Sequence, residues 1–375
     1  MRILVITSSY HPYKGGVETV VGDLVAGLKS TGDHAIVITN LWPKSLPLFE
    51  IINGNFVFRV PMILPTQCSH SFINRLKWLF TSVTTSILVT CFKPQVINIQ
   101  CVGPNGYWGK RLSERFHVPI VVSTHGERTN DSSGFYLVKE NVEIYDGLIS
   151  SAKAVVCVSE VSAKESITTD AVNSDDIVII PNAITIVDQS PSTNERPVDI
   201  TYVGRLVPEK GVDTLIKAVA RVCHRFPNLT VKIVGDGQSC AELNRLVVAS
   251  GLTKNVMFAG QLDRNAVTEI LLRSKILVLP SRKESFGLVL LEAANAGCAV
   301  VATSTGGIPS IVEHGKNGLL FEIDSVEQLA AHLDKLVSDD ARRSELINQF
   351  RNRLQHYDIS NFIVRYRAVF VDVTT

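Results

Sequence analysis

Short apolar runs alternate with helically spaced apolar positions along almost the whole chain. Residues 2–7 predict a first strand; a loop at 8–16 follows, and then Val17, Val20, Val21, Leu24, Val25 and Leu28 mark one face of a helix. Runs at 35–39, 56–60, 95–100, 119–123, 154–158 and 177–180 continue the pattern, so this half predicts one doubly wound unit with a parallel sheet. Residues 185–197 turn polar, hold two prolines and lose periodicity, which predicts an interdomain linker. The alternation then restarts. Strands are predicted at 198–203, 229–234, 256–259, 276–279, 300–303 and 319–321, with helices at 212–226, 241–250 and 266–273 and another from Phe286 onward. Val326, Leu329, Ala330, Leu333 and Leu336 form a late apolar face, and the apolar, aromatic tail at 359–373 must pack on something. The domains expected are therefore 1–184, a linker at 185–197, 198–355 and a tail at 356–375.

A chain of 375 residues can build two cores, and its net charge of +1 argues against a polyanion as partner. No basic block or basic stripe interleaved with aromatics appears, so nucleic acid is not expected. Seven cysteines stand singly, without metal-ligand spacing, and read as reduced thiols. With no secretory pattern at the N-terminus, the expected place is the cytoplasm. The stretch 78–92 is too short and too rich in Ser and Thr for a confident membrane span. Together with Phe72, Ile73, Arg75, Leu76, Lys77 and Trp78 it also suits a helix lying on a membrane surface, a peripheral inner-membrane contact.

Candidate chemistry sits where strands end and helices begin, the place where open parallel sheets bind ligands. Glu284 lies in the loop after the strand at 276–279, and Glu292 is placed about two turns inside the next helix. Between them the N–H groups near Gly287, Leu288 and Val289 suit a phosphate. Arg205 and Lys210 follow the strand at 198–203, Gly235 ends the strand at 229–234, and Gly15-Gly16 and His125 end runs in the first half. Each feature alone also fits a solvated loop or a tight turn.

The phrase ESFGLVLLEAANAG from Glu284, with TGGIP from Thr305, closely resembles the donor-site signature of the family 4 retaining glycosyltransferases of GT-B fold. The resemblance implies two Rossmann-like domains facing a cleft, with the last helix crossing back to the first domain. It implies Arg205 and Lys210 on the diphosphate of a nucleotide-sugar, Glu284 on sugar hydroxyls and Glu292 on the ribose. His125 would lie near the reacting carbon, and Gly15 and Gly16 would face the diphosphate and acceptor, with Gly16 the stronger candidate. Gly235, Leu262, Ser285, Phe286, Gly287, Leu288 and Val289 complete the implied donor site. The phrase Pro181-Asn182-Ala183 departs from the usual Pro-Asn-Gly.

The implied activity is metal-independent hexosyl transfer, with retention, to a hydroxyl of a glycan or lipid-linked glycan. No metal or other cofactor is expected, because the chain has no Asp-x-Asp and the cations stabilise the leaving group instead. Rivals are a nucleotide-sugar epimerase or a phosphorylase of the same fold, which donor-alone incubation separates, and a non-catalytic sugar-binding protein. A dehydrogenase fits poorly, since neither half carries a dinucleotide fingerprint.

Overall fold

The computed structural model describes residues 1–13, 15–68, 71–127, 134–167, 174–186 and 196–375. Most of the expected linker, residues 187–195, lies outside them. Internal contacts divide the chain into two units: Met1–Asn182 with Ile359–Thr375, and Ala183–Asp358.

In the first unit the strands are β1 (Arg2–Thr7), β2 (His34–Asn40), β3 (Phe49–Ile52), β4 (Asn55–Val60), β5 (Val96–Gln100), β6 (Ile120–Thr124), β7 (Ala154–Cys157) and β8 (Ile177–Ile179). They form one sheet in the order β3-β4-β2-β1-β5-β6-β7-β8. Apart from the β3/β4 edge, chain order runs outward in both directions from the β1/β5 pair, so the strand order reverses there and leaves a crevice at the strand ends. Ile3, Leu4, Val5, Val96, Ile97 and Ile99 are fully buried, which is why these strands read as unbroken apolar runs.

The sheet is not wholly parallel: β3 pairs antiparallel with β4. The pair turns at Asn53-Gly54, both left-handed, with φ of 51° and 77°. Asn-Gly is the usual two-residue hairpin signal, and it was present at 53–54; the strand itself is half exposed and lacks a clean apolar run.

The tail forms the helix Ile359–Asp372, and it belongs to the first unit, against the helix Gly16–Ser30. Ile363 fills the space where Gly27 has no side chain, and Arg367 pairs with the buried Asp33 at 2.8 Å.

In the second unit β9 (Val198–Val203), β10 (Val231–Val234), β11 (Val256–Gly260), β12 (Ser274–Leu279), β13 (Ala299–Thr303) and β14 (Leu319–Phe321) form a parallel sheet in the order β11-β10-β9-β12-β13-β14. Here the order reverses between β9 and β12. Of the element ends that differ from expectation, two belong to helices that follow the β9 and β12 loops. The helix expected from Phe286 begins at Leu288, because Gly287 is left-handed with φ of 93°. Glu292 is consequently just past the first turn, not two turns in. The helix expected over 212–226 ends at Val222, short of Pro227.

Candidate active site

The β9/β12 reversal brings two loops side by side, 204–211 after β9 and 280–287 after β12. Lys210 donates from Nζ to Oε2 of Glu284 at 2.7 Å, and the Ser281 hydroxyl donates to the same oxygen at 3.2 Å. Both charged side chains are mostly covered, at 16% and 14% exposure, so each is the other's principal compensation. Arg205 remains exposed, while its carbonyl accepts a hydrogen bond from the Tyr202 hydroxyl at 2.9 Å. Burial, followed by the nearby Glu284 charge, pushes the Tyr202 phenol up, so it stays a donor.

Arg282 ties the loops together. Its backbone N–H donates to the carbonyl of Glu209 at 2.8 Å, and its guanidinium reaches Asp213 at 2.9 Å and Asp324 at 2.8 Å. Hydrogen bonding from Arg282 lowers the Asp324 carboxyl below the usual range. For Asp213, burial acts upward, but hydrogen bonds and charge from Lys217 and Arg282 outweigh it and leave that carboxyl lowered too. Thr303 and Thr305 donate hydroxyl hydrogen bonds to the carbonyls of Ser281 and Arg282, at 2.6 and 3.3 Å. The Gly306-Gly307 pair lies directly on the Glu284-Ser285 backbone, and the N–H of Gly307 donates to the Glu284 carbonyl at 3.0 Å. Tyr202, Arg282 and Thr303 were not singled out from the sequence. Tyr202 and Thr303 act through backbone carbonyls, which leave no side-chain pattern to read, and Arg282 acts on carboxylates 69 and 42 residues away in the chain.

The remaining second-unit candidates have distinct surroundings. Ser285 and Phe286 are buried, and the Phe286 ring packs edge-on to Tyr357 at 6.2 Å, so its side chain serves the core. A side chain at Gly287 would run into Leu279 and Leu290, so the glycine there serves the turn into the helix. The helix Leu288–Asn295 has no side-chain cap at its start, which leaves the N–H groups of Leu288 and Val289 for an outside acceptor. Leu288, Val289 and Glu292 are half-buried. Gly235 lies against the backbone of Gly204, where a Cβ would come within 1.8 Å of the Gly204 oxygen. Leu262 is half-buried, between β11 and the helix Arg264–Leu272.

In the first unit, Gly15 and Gly16 open the helix after β1; space beside Gly16 is free to 4 Å, whereas a side chain at Gly15 would meet Glu18. His125 directly follows β6, and its Nε2 lies 2.8 Å from Oε1 of Gln100. Burial depresses the imidazole to about 4, so the ring is neutral near pH 7. Glu127 accepts backbone N–H bonds from Val102 at 2.8 Å and His125 at 2.9 Å, while burial raises its carboxyl to about 7. This carboxylate was not read as a candidate from the sequence.

Two family models match in succession. Residues 14–187 match Glycosyltransferase Family 4, and residues 184–353 match Glycosyl transferases group 1. The chain belongs to the GT-B glycosyltransferases. Among curated relatives, the phosphatidylinositol N-acetylglucosaminyltransferase gpi3 subunit of Schizosaccharomyces pombe is 26% identical, over 89% of this chain and 72% of its own length. A glycogen synthase of Mycobacterium tuberculosis is 25% identical over 94% of this chain and 90% of that protein. Among solved structures, sucrose-phosphate synthase from Thermosynechococcus elongatus superposes with a TM-score of 0.83 at 20% identity, over 99% of both chains. Anabaena HepE in complex with UDP-glucose gives 0.80 at 21%, over 99% of this chain and all of that one. These two share the GT-B fold with this glycosyltransferase.

Proposed function

We propose that this glycosyltransferase moves a hexose, with retention, from a nucleoside diphosphate sugar to a hydroxyl of a glycan or lipid-linked glycan, without a metal. The observation that carries this reading is the β9/β12 crevice, where Arg205, Lys210 and an uncapped helix start at Leu288 supply positive charge. A departing nucleoside diphosphate gathers negative charge, and fixed cations and N–H groups stabilise it without reorganisation. UDP and UDP-glucose bound to HepE support a donor of this class.

Glu284, held by Lys210 and Ser281, is positioned to receive sugar hydroxyls, and Glu292 the ribose hydroxyls. His125 acts as a neutral ring near the reacting carbon. The leaving phosphate takes the proton of the incoming hydroxyl, so no second carboxylate is needed as nucleophile. Transfer of labelled sugar from a panel of nucleoside diphosphate sugars tests this, and transfer should survive excess chelator. Loss with chelator and rescue by magnesium or manganese would overturn the metal-independent part; conversion of donor without acceptor would point to an epimerase instead.

The lipid-linked class of acceptor draws support from the helix Phe72–Phe92, which is inside out. Its buried positions are Thr81, Ser82, Thr85 and Val89, while Phe72, Ile73, Leu76, Leu79, Phe80, Val83 and Ile87 are exposed. It carries Arg75 and Lys77 and no acidic residue. Trp78, grouped with the outward residues from sequence, instead packs on Trp108 at 5.6 Å beneath Arg111. Among the described residues no helix is long and apolar enough to cross a membrane. The proposed contact is of this outward apolar face with one leaflet, on the cytoplasmic side. The protein should float with anionic liposomes at low salt, and Leu79→Glu with Val83→Glu should cut the floated fraction at least about tenfold. A wild-type chain that stays wholly in the soluble fraction would rule this contact out.

A further inference from the structure

Strand β5 is central, yet it buries two amides, Asn98 and Gln100, with no exposure at all. Buried amides weaken a core unless every polar atom is matched, and here their hydrogen bonds run in one direction. Asn98 donates from Nδ2 to the carbonyl of Val121 at 3.1 Å, and a carbonyl can only accept. This fixes the Asn98 amide: Nδ2 also reaches Ser123 Oγ at 3.0 Å, and Oδ1 is left to accept from Nε2 of Gln100 at 2.6 Å. Gln100 therefore presents Oε1 to the His125 ring, so Nε2 of His125 must carry the proton. The chain has a second anchor in the last helix. Tyr366 donates to Ser123 Oγ at 3.1 Å, the oxygen that also takes the Asn98 amide.

We propose that Tyr366, Ser123, Asn98 and Gln100 are positioning residues that lock His125 in its Nε2–H tautomer, leaving Nδ1 as the ring's acceptor nitrogen. The inference rests on the reading of His125 as a donor-side group for its purpose, but not for its geometry. It also gives the last helix a task beyond covering apolar surface. A core helix would need only an aromatic ring at 366; the hydroxyl, buried and aimed at β6, is what links residue 366 to the site. The charged and titratable groups bearing on the ring are Glu127, whose carboxylate accepts the His125 backbone N–H, and Tyr366 through the relay.

The test is nitrogen-15 NMR of the histidine rings, with His125 assigned by its loss in His125→Ala. Wild type should show Nε2–H. Tyr366→Phe keeps the packing and removes one anchor, and should raise the Nδ1–H fraction by about two- to tenfold, the scale of one hydrogen bond. Gln100→Glu places a carboxylate at the ring and should move the His125 titration upward by at least about one pH unit. Nδ1–H in wild type, or ring signals unmoved in both variants, would overturn the relay. Normal transfer by His125→Ala would overturn the donor-side reading instead, and the ring signals would still decide the relay.

Discussion

Gly306→Ala should lower the melting temperature of the second unit by about 5–20 °C. The residue holds φ of 54°, and a Cβ built there would lie 1.7 Å from the carbonyl oxygen of Glu284. The left-handed conformation alone costs an alanine about 1–2 kcal/mol, and a forced contact in a packed site adds roughly 1–3 kcal/mol. For a domain of this size each kcal/mol is worth about 2–4 °C. The clash is with backbone, so it cannot be relieved by rotating a side chain, and the Glu284 loop must move. Gly16→Ala is the control. It has open space and no positive φ, and should change stability by no more than about 0.5 kcal/mol. Scanning calorimetry of both variants decides this, and a Gly306→Ala transition within about 2 °C of wild type would show that the loop yields freely.

The same contact explains what was and was not legible in the sequence. Glu284, Arg205 and Lys210 are recognisable because the phrases around them resemble a family signature, while their places in loops after strands such as 276–279 would alone also fit a solvated loop. What holds those residues is mostly invisible there. The Tyr202 hydroxyl, the Thr303 hydroxyl and the Gly307 N–H all act on backbone carbonyls, the last two of residues more than twenty positions away, and any residue has a carbonyl. The inside-out helix was partly legible, since its apolar residues could be counted. Which of them face outward could not, because Thr81, Ser82 and Thr85 take the buried side that apolar residues usually fill. Trp78 was misplaced for that reason. The buried amides of β5 belong to the same class: alternation at 96–100 gives two faces, and only the Tyr366 contact shows what the polar one serves.

The two carboxylates, Glu284 in the loop and Glu292 in the helix after it, should separate cleanly in binding and transfer. Glu292, one turn into its helix, is the ribose group in this reading, so Glu292→Ala should weaken nucleoside diphosphate binding. The expected loss is roughly 1.5–3 kcal/mol, the worth of a hydrogen bond to a charged group, or about ten- to a hundredfold in affinity. Glu284 is the sugar group in the same reading, and it is tied to Lys210 at 2.7 Å. Removing its carboxylate takes away a sugar contact and at the same time frees the Lys210 ammonium, which can then turn wholly to the diphosphate. Glu284→Ala should accordingly bind nucleoside diphosphate at least as tightly as wild type while losing most of its transfer. Glu284→Gln separates the two effects, because the amide can still accept from Lys210 but no longer neutralises it. Its diphosphate affinity should fall between wild type and Glu284→Ala if the variants rank by how far Lys210 is released. Calorimetry with the free diphosphate, beside transfer rates with the full donor, measures both quantities. If Glu284→Ala loses nucleotide affinity as badly as Glu292→Ala, then Glu284 is organising the phosphate site rather than the sugar, and the division of labour between them is wrong.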